Sequence, residues 1–85
     1  MPRISIIIPT YNAQVTIKST ILSVQLQTIQ DFELLIIDDG STDQTLEILE
    51  TVKDPRIKIS TYQNSGVAAA RNRGIEQSSG EFLSF

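Results

Sequence analysis

Three carboxylates stand close together near the middle of the chain: Asp38, Asp39 and Asp43. The first two directly follow an apolar run at positions 34–37, and neighbouring like charges repel unless something compensates them. A carboxylate here can accept backbone N–H bonds, lie at a helix N-terminus, or accept a hydrogen bond from a ligand. We interpret Asp38 and Asp43 as turn and capping residues. Asp39 is the candidate that could accept a hydrogen bond from a ribose or from an N–H of a base.

Tyr11, Arg71 and Arg73 have side chains that suit nucleotide binding. Tyr11 offers a flat face on which a base can stack. An arginine can offset phosphate charge with two parallel hydrogen bonds. The two arginines are two positions apart in a predicted helix and therefore point to different sides, so we expect at most one to face a site. A carboxylate acceptor at Asp39 would favour uracil, which presents an N–H donor.

The segments that must position these residues alternate between strands and helices. Apolar and β-branched runs predict strands at residues 4–9, 32–37, 57–61 and 81–85, the third with one exposed face and near an edge. Helical spacing predicts helices at residues 12–26 and 67–77, and a further helix that starts at residue 41 or 42. Asn12 is the predicted cap of the first helix, and Ser41 with Gln44 has the form of a capping box for the second. Residues 78–80 are expected to end the third helix.

This βαβαβαβ order predicts a single α/β domain over residues 1–85, with a Rossmann-like, mostly parallel sheet. Ligands of such sheets bind beyond the carboxyl ends of the strands, where the strand order reverses. For a strand order of 3-2-1-4 that point lies between strands one and four. Residues 9–12, 38–41 and 62–64 would all lie at this edge.

Composition limits the function further. The net charge of −3 argues against a nucleic-acid partner, which usually needs a basic surface. The absence of cysteine and histidine leaves no thiolate or imidazole ligand for a metal, and the lack of cysteine fits a cytoplasmic location. No apolar run has the length of a signal peptide or a membrane span.

Three other readings fit the residues less well. A dinucleotide fold or P-loop needs glycines after strand one, but residues 9–13 contain none. A calcium loop beginning at Asp39 would have Gln44 where the turn requires glycine. A receiver domain would carry its acidic cluster after strand one, where this chain has Pro9, Thr10 and Tyr11.

Several motifs together resemble the amino-terminal half of a family 2 glycosyltransferase. They are ISIIIPTYN at 4–12, QT at 27–28, FELLIIDDGSTD at 32–43, NSGVAAARNRG at 64–74 and SGEF at 79–82. The resemblance implies a GT-A fold and transfer of a sugar from a nucleotide diphosphate, usually with inversion. By the same resemblance Pro9, Thr10 and Tyr11 would line the base pocket, Asp39 would bind uracil, and Arg71 would contact the nucleotide.

The resemblance also implies a divalent cation, Mn or Mg, on the diphosphate. The family's Asp-x-Asp motif that binds it follows the strand beginning at Glu81, and the catalytic base comes later still, so neither is expected within residues 1–85. We therefore assign no catalytic residue and expect a truncated, donor-recognising half that does not transfer sugar alone. The alternative is a non-catalytic nucleotide-binding module, or one that self-associates through the exposed edge of strand four.

Overall fold

The computed structural model describes residues 4–27, 30–78 and 82–84, and this part of the chain forms one parallel sheet of four strands with three helices. The strands are β1 (Ile4–Thr10), β2 (Phe32–Asp38), β3 (Ile57–Thr61) and β4 (Phe82–Ser84). The helices are α1 (Ile17–Gln25), α2 (Thr45–Glu50) and α3 (Val67–Gln77). The strand order β3-β2-β1-β4 confirms the predicted α/β class and places the reversal between β1 and β4.

The register of the sheet brings the carboxyl ends of three strands to one edge. Thr10 of β1 lies opposite Asp38 of β2, which in turn lies opposite Thr61 of β3. All seven residues of β2 are buried, as expected for a central parallel strand covered on both faces. β3 pairs with β2 alone among the described strands and has exposed residues, which confirms its predicted place at an edge.

Apolar side chains fill both faces of the sheet, because successive residues of a strand point to opposite sides. The larger cluster lies beneath α1 and α2; its buried members are Ile6, Ile17, Ile21, Phe32, Leu34, Ile36 and Leu49. The smaller lies beneath α3 and contains Ile7, Leu35, Ile37 and Ala70, with Tyr62 packed against it. In α3, Gly74 lies against Ile7: a Cβ at this position would overlap Cγ2 of Ile7. The glycine lets α3 approach the sheet closely.

The predicted start of the first helix is wrong. α1 begins at Ile17, and the N-cap residue before it, Thr16, makes no side-chain capping hydrogen bond. Asn12 has a positive φ of 47°, and its Oδ1 accepts hydrogen bonds from the N–H groups of Thr42, at 2.7 Å, and Asp43, at 3.3 Å. Asn12 thus joins the β1–α1 loop to the segment before α2. Sequence-local capping rules could not identify this partner, which lies 30 positions away.

The predicted capping box of the second helix is also wrong, because α2 begins only at Thr45. The Ser41 hydroxyl donates a hydrogen bond to Asp38, and the backbone N–H of Gln44 donates to Oε1 of Gln14 at 2.9 Å. The Ser41 hydroxyl also accepts the N–H of Asn12 at 2.9 Å, so both residues make tertiary contacts with the β1–α1 loop in place of the reciprocal cap.

The third helix has the predicted bounds of Val67–Gln77. Of the predicted break at 78–80, Ser78 has an extended backbone and follows the last residue of α3, and residues 79–80 lie outside the described residues. Thr28 of the QT motif and the two ends of the predicted fourth strand, at 81 and 85, also lie outside them. None of the described helices has the length and apolar character that crossing a bilayer requires.

Candidate nucleotide site

The ends of β1 and β2 meet the start of α3 at a small pocket, which we call the rim pocket. Its lining residues are Pro9, Thr10, Tyr11, Asp39, Val67 and Ala70. Four of the five residues predicted for the site therefore lie together, with Tyr11 half exposed and Asp39 only 5% exposed. An aromatic face and a carboxylate share one pocket at the edge where parallel α/β sheets bind ligands.

Asp39 is held on three sides. Its N–H donates to the Thr10 carbonyl at 2.8 Å, and its two carboxylate oxygens accept the N–H groups of Ser65, at 2.8 Å, and Gly66, at 2.9 Å. Each carboxylate oxygen has two lone pairs, so both can accept a further hydrogen bond. The sequence did not reveal the contact with residues 65 and 66. It follows from the parallel order, which places the loop after β3 beside the end of β2.

Gly40 is required where the two loops approach most closely. Its φ of +80° favours glycine, and a Cβ there would lie 3.0 Å from the N atom of Asn64 and 3.3 Å from the carbonyl oxygen of Tyr62. A side chain at this position would push the β3–α3 loop away from Asp39. Gly40, which follows the two aspartates, thus allows the β3–α3 loop to lie close enough to bind the Asp39 carboxylate.

The other two acidic residues accept hydrogen bonds from nearby loops and from the start of α2, outside the rim pocket. Asp38 is fully buried and accepts hydrogen bonds from the N–H of Ser41, at 3.0 Å, and from the Ser41 hydroxyl, which confirms its predicted turn role. Asp43 was expected in the first turn of α2, but it precedes the helix and accepts from Thr45 and Gln14. Desolvation alone would raise the pKa of Asp43; the hydrogen bonds from Thr45 and Gln14 outweigh it, and the net shift is downward.

The two arginines of α3 point to different sides, as predicted. Arg71 is exposed, does not line the rim pocket, and makes no hydrogen bond or ion pair with any described residue. The guanidinium of Arg73 stacks over the Tyr62 ring, with its carbon 4.2 Å from the ring centroid. The fifth predicted site residue, Arg71, is therefore near the pocket only through its neighbour Ala70, and its contact with a ligand stays a prediction.

A larger cleft, the α1–α2 cleft, opens on the other face of the sheet. Its described lining residues are Lys18, Ile21, Leu22, Gln25, Ile48, Thr51, Val52 and Lys53. They include neither an aromatic ring nor a carboxylate, the two groups that would stack on a base and accept its N–H. The smaller rim pocket therefore has the better chemistry for a nucleotide.

Metal ligands are not grouped in the described ranges 4–27, 30–78 and 82–84. These contain no cluster of three or more histidine, cysteine, aspartate or glutamate side chains that could hold an ion. Asp38, Asp39 and Asp43 are instead directed to separate backbone partners. The acidic corner does not fit a divalent cation.

Two solved structures resemble this chain closely. The crystal structure of S. aureus TarS 1–349 in complex with UDP-GlcNAc has a TM-score of 0.88 and 37% identity, over 95% of this chain and 25% of that chain. The mannosyltransferase PcManGT from Pyrobaculum calidifontis, in complex with GDP-Man and Mn²⁺, has a TM-score of 0.78 and 26% identity, over 96% and 26% of the two chains. Both likenesses support the GT-A type of fold.

Sequence comparison gives the same result. An uncharacterized glycosyltransferase of Haemophilus influenzae is 48% identical over 88 residues, which cover 100% of this chain and 35% of that protein. The chain thus spans about a third of the length of this relative. A model of the family described as Glycosyl transferase family 2 matches residues 5–85. The chain therefore belongs to glycosyl transferase family 2.

Proposed function

We propose that this chain recognises the nucleotide of a UDP-sugar donor at the rim pocket. The main observation in support of this proposal is that Tyr11 and Asp39 line one pocket at the ligand-binding edge of the sheet. In this proposal the Tyr11 ring stacks on uracil and the Asp39 carboxylate accepts its N3–H. The UDP-GlcNAc complex of the related TarS supports the choice of uracil.

The remaining pocket residues have supporting roles in this proposal. Pro9 lines the side of the pocket, and Thr10 is buried with its carbonyl oxygen accepting the N–H of Asp39. Arg71 is exposed on α3, where its guanidinium is free to reach the phosphates of a bound nucleotide.

In the whole enzyme, we propose transfer of the sugar to an acceptor with inversion, in the cytoplasm. A divalent cation, Mn or Mg, would neutralise the leaving diphosphate. The acidic corner does not hold that cation, so its ligands would lie outside the described residues. Residues 1–85 alone are expected to give no turnover with UDP-sugars and Mn²⁺, and turnover by that fragment would contradict the proposal.

The nucleotide preference can be tested by titrating UDP and CDP calorimetrically. Cytosine presents an acceptor at N3 where uracil presents a donor, so Asp39 should favour UDP over CDP by about tenfold or more. Tyr11→Ala should weaken UDP binding by about tenfold through lost stacking, whereas Tyr11→Phe keeps the ring and should bind nearly as wild type does. Equal affinities for UDP and CDP would contradict the role of Asp39, and an unaffected Tyr11→Ala variant would contradict stacking.

A second candidate function is self-association without catalysis. β4 pairs with β1 alone among the described strands, so its other edge has no partner in this part of the chain. Open strand edges can pair with a second copy. Size-exclusion chromatography over a range of concentrations tests this, and a monomer throughout would argue against edge pairing.

A further inference from the structure

The loop between β3 and α3 controls the orientation of the Asp39 carboxylate. Both carboxylate oxygens accept N–H groups from this loop, at Ser65 and Gly66. Residues 62–66 have no regular secondary structure, and Gly66 has a φ of +94°. Any contact that fixes the conformation of this loop therefore also fixes the orientation of the Asp39 carboxylate, which in the proposed function accepts the N3–H of uracil.

Arg73 contacts this loop at both of its ends. Its Nη2 donates to the hydroxyl of Ser65 at 3.3 Å, and its guanidinium lies over the ring of Tyr62, 4.2 Å from the centroid. Nη1 is buried with no hydrogen-bond partner among the described residues. Enclosing a cationic nitrogen in this way is costly, and stacking on an aromatic face offsets part of the cost.

The Tyr62 ring on which Arg73 stacks is itself held in place by packing and hydrogen bonds. The ring packs against the buried cluster beneath α3, and its hydroxyl accepts a hydrogen bond from Nε2 of Gln77, one turn beyond Arg73. The backbone N–H of Tyr62 donates to the Asp38 carbonyl at 2.9 Å. The start of the loop is thus fixed to the sheet, while Ser65, close to the carboxylate, is exposed and reached by Arg73.

We propose that Arg73 is a positioning residue: by joining Tyr62 to Ser65 it holds the β3–α3 loop, and through it the Asp39 carboxylate, in the geometry that selects uracil. This inference rests on the proposed function. The two arginines differ in their surroundings: Arg71 is exposed on α3, whereas the guanidinium of Arg73 is engaged by Tyr62 and Ser65. Removing Arg73 should therefore reduce base selectivity more than it reduces phosphate binding.

The test compares Arg73→Met with wild type and with Lys18→Met, which removes one positive charge on the opposite face of the sheet. The first readout is the ratio of UDP to CDP affinity in the full chain. We expect Arg73→Met to lower this ratio by about threefold to tenfold, the effect of misaligning one hydrogen bond, with little change for CDP. Lys18→Met should keep the wild-type ratio.

The second readout is amide hydrogen exchange without ligand. The Ser65 and Gly66 amides should exchange about tenfold faster in Arg73→Met, while amides of β2 stay protected. Ser65→Ala removes the hydroxyl that accepts from Arg73 and donates to the Gln63 carbonyl at 3.0 Å, so it should shift both readouts in the same direction even if Arg73→Met folds poorly. The part of this shift that is due to Arg73 should be absent when Ser65→Ala is made in the Arg73→Met background. Arg73→Lys should recover little, because a lysine ammonium cannot stack and donate in the same fork geometry.

The inference would be overturned if the wild type distinguishes UDP from CDP and Arg73→Met leaves the ratio of their affinities unchanged. One form of this result is equal weakening of both nucleotides with unchanged exchange of the loop amides. Such equal weakening would assign Arg73 to the phosphates. A wild type that does not distinguish the two nucleotides would instead refute the proposed function. The exchange of Ser65 and Gly66 then decides by itself whether Arg73 holds the loop.

Discussion

Replacing Asp39 by asparagine is expected to weaken UDP binding by about 10–100-fold, the usual effect of losing a charged hydrogen-bond acceptor. The loss has two parts. In Asp39 the N–H groups of Ser65 and Gly66 are accepted by different oxygens, so replacing one oxygen by NH₂ places a donor against one of these N–H groups in the same geometry. Its NH₂ group would also face the uracil N3–H, donor against donor. Isothermal titration with UDP measures the total effect.

The two parts can be separated with CDP. Cytosine carries an acceptor at N3, which the asparagine amide can satisfy, so Asp39→Asn should abolish or reverse the preference for UDP over CDP. The matched control is Glu50→Gln, which removes one negative charge from an exposed position of α2. The Glu50 side chain makes no hydrogen bond with any described residue. Wild-type UDP affinity in Asp39→Asn would remove Asp39 from the site.

Gly74→Ala is expected to produce the largest loss of stability. A Cβ at position 74 would overlap Cγ2 of Ile7 and lie 3.1 Å from its Cγ1, so α3 would have to move away from the sheet. Overpacking of this kind costs about 1–3 kcal/mol, and the better helix propensity of alanine returns up to about 1 kcal/mol. We expect the melting temperature to fall by roughly 5–15 °C, which thermal denaturation followed by circular dichroism measures.

The clash can be tested through its partner. Ile7→Leu moves the branch away from Cβ and removes Cγ2, so Gly74→Ala should cost little in that background. Ile7→Val keeps Cγ2, and there the cost should remain close to its wild-type value. Equal costs in the two backgrounds would show that contact with Ile7 is not the reason for the glycine.

The fold could be predicted from the sequence because its signals are local and repeated. Nearly continuous apolar runs predicted β1 and β2, and alternation of apolar and polar residues predicted the edge strand β3. The observed bounds of α3 agree with those predicted from the helical spacing of its apolar residues. The parallel order then follows from the rules for βαβ connections. These features depend on hydrophobic patterning, which each segment carries by itself.

The errors lie where loops bind to one another. Asn12 and Ser41 have side chains typical of helix caps, yet Asn12 Oδ1 accepts the N–H of Thr42 and the Ser41 hydroxyl accepts the N–H of Asn12, where two loops cross. Likewise, the sequence placed Asp39 at the correct edge but could not show that Ser65 and Gly66 hold it. Such hydrogen bonds join positions 26 to 30 apart, and no local pattern encodes them.

We expect the Tyr11 ring and the Asp39 carboxylate to bind one uracil together. Nuclear Overhauser spectroscopy of the UDP complex tests it most directly. We expect contacts between the Tyr11 ring protons and uracil H5 and H6. The N3 imino proton should be protected from exchange in wild type and unprotected in Asp39→Asn. Uracil contacts with the methyl groups of Ile21 and Val52 in the α1–α2 cleft, and none with Tyr11, would contradict it.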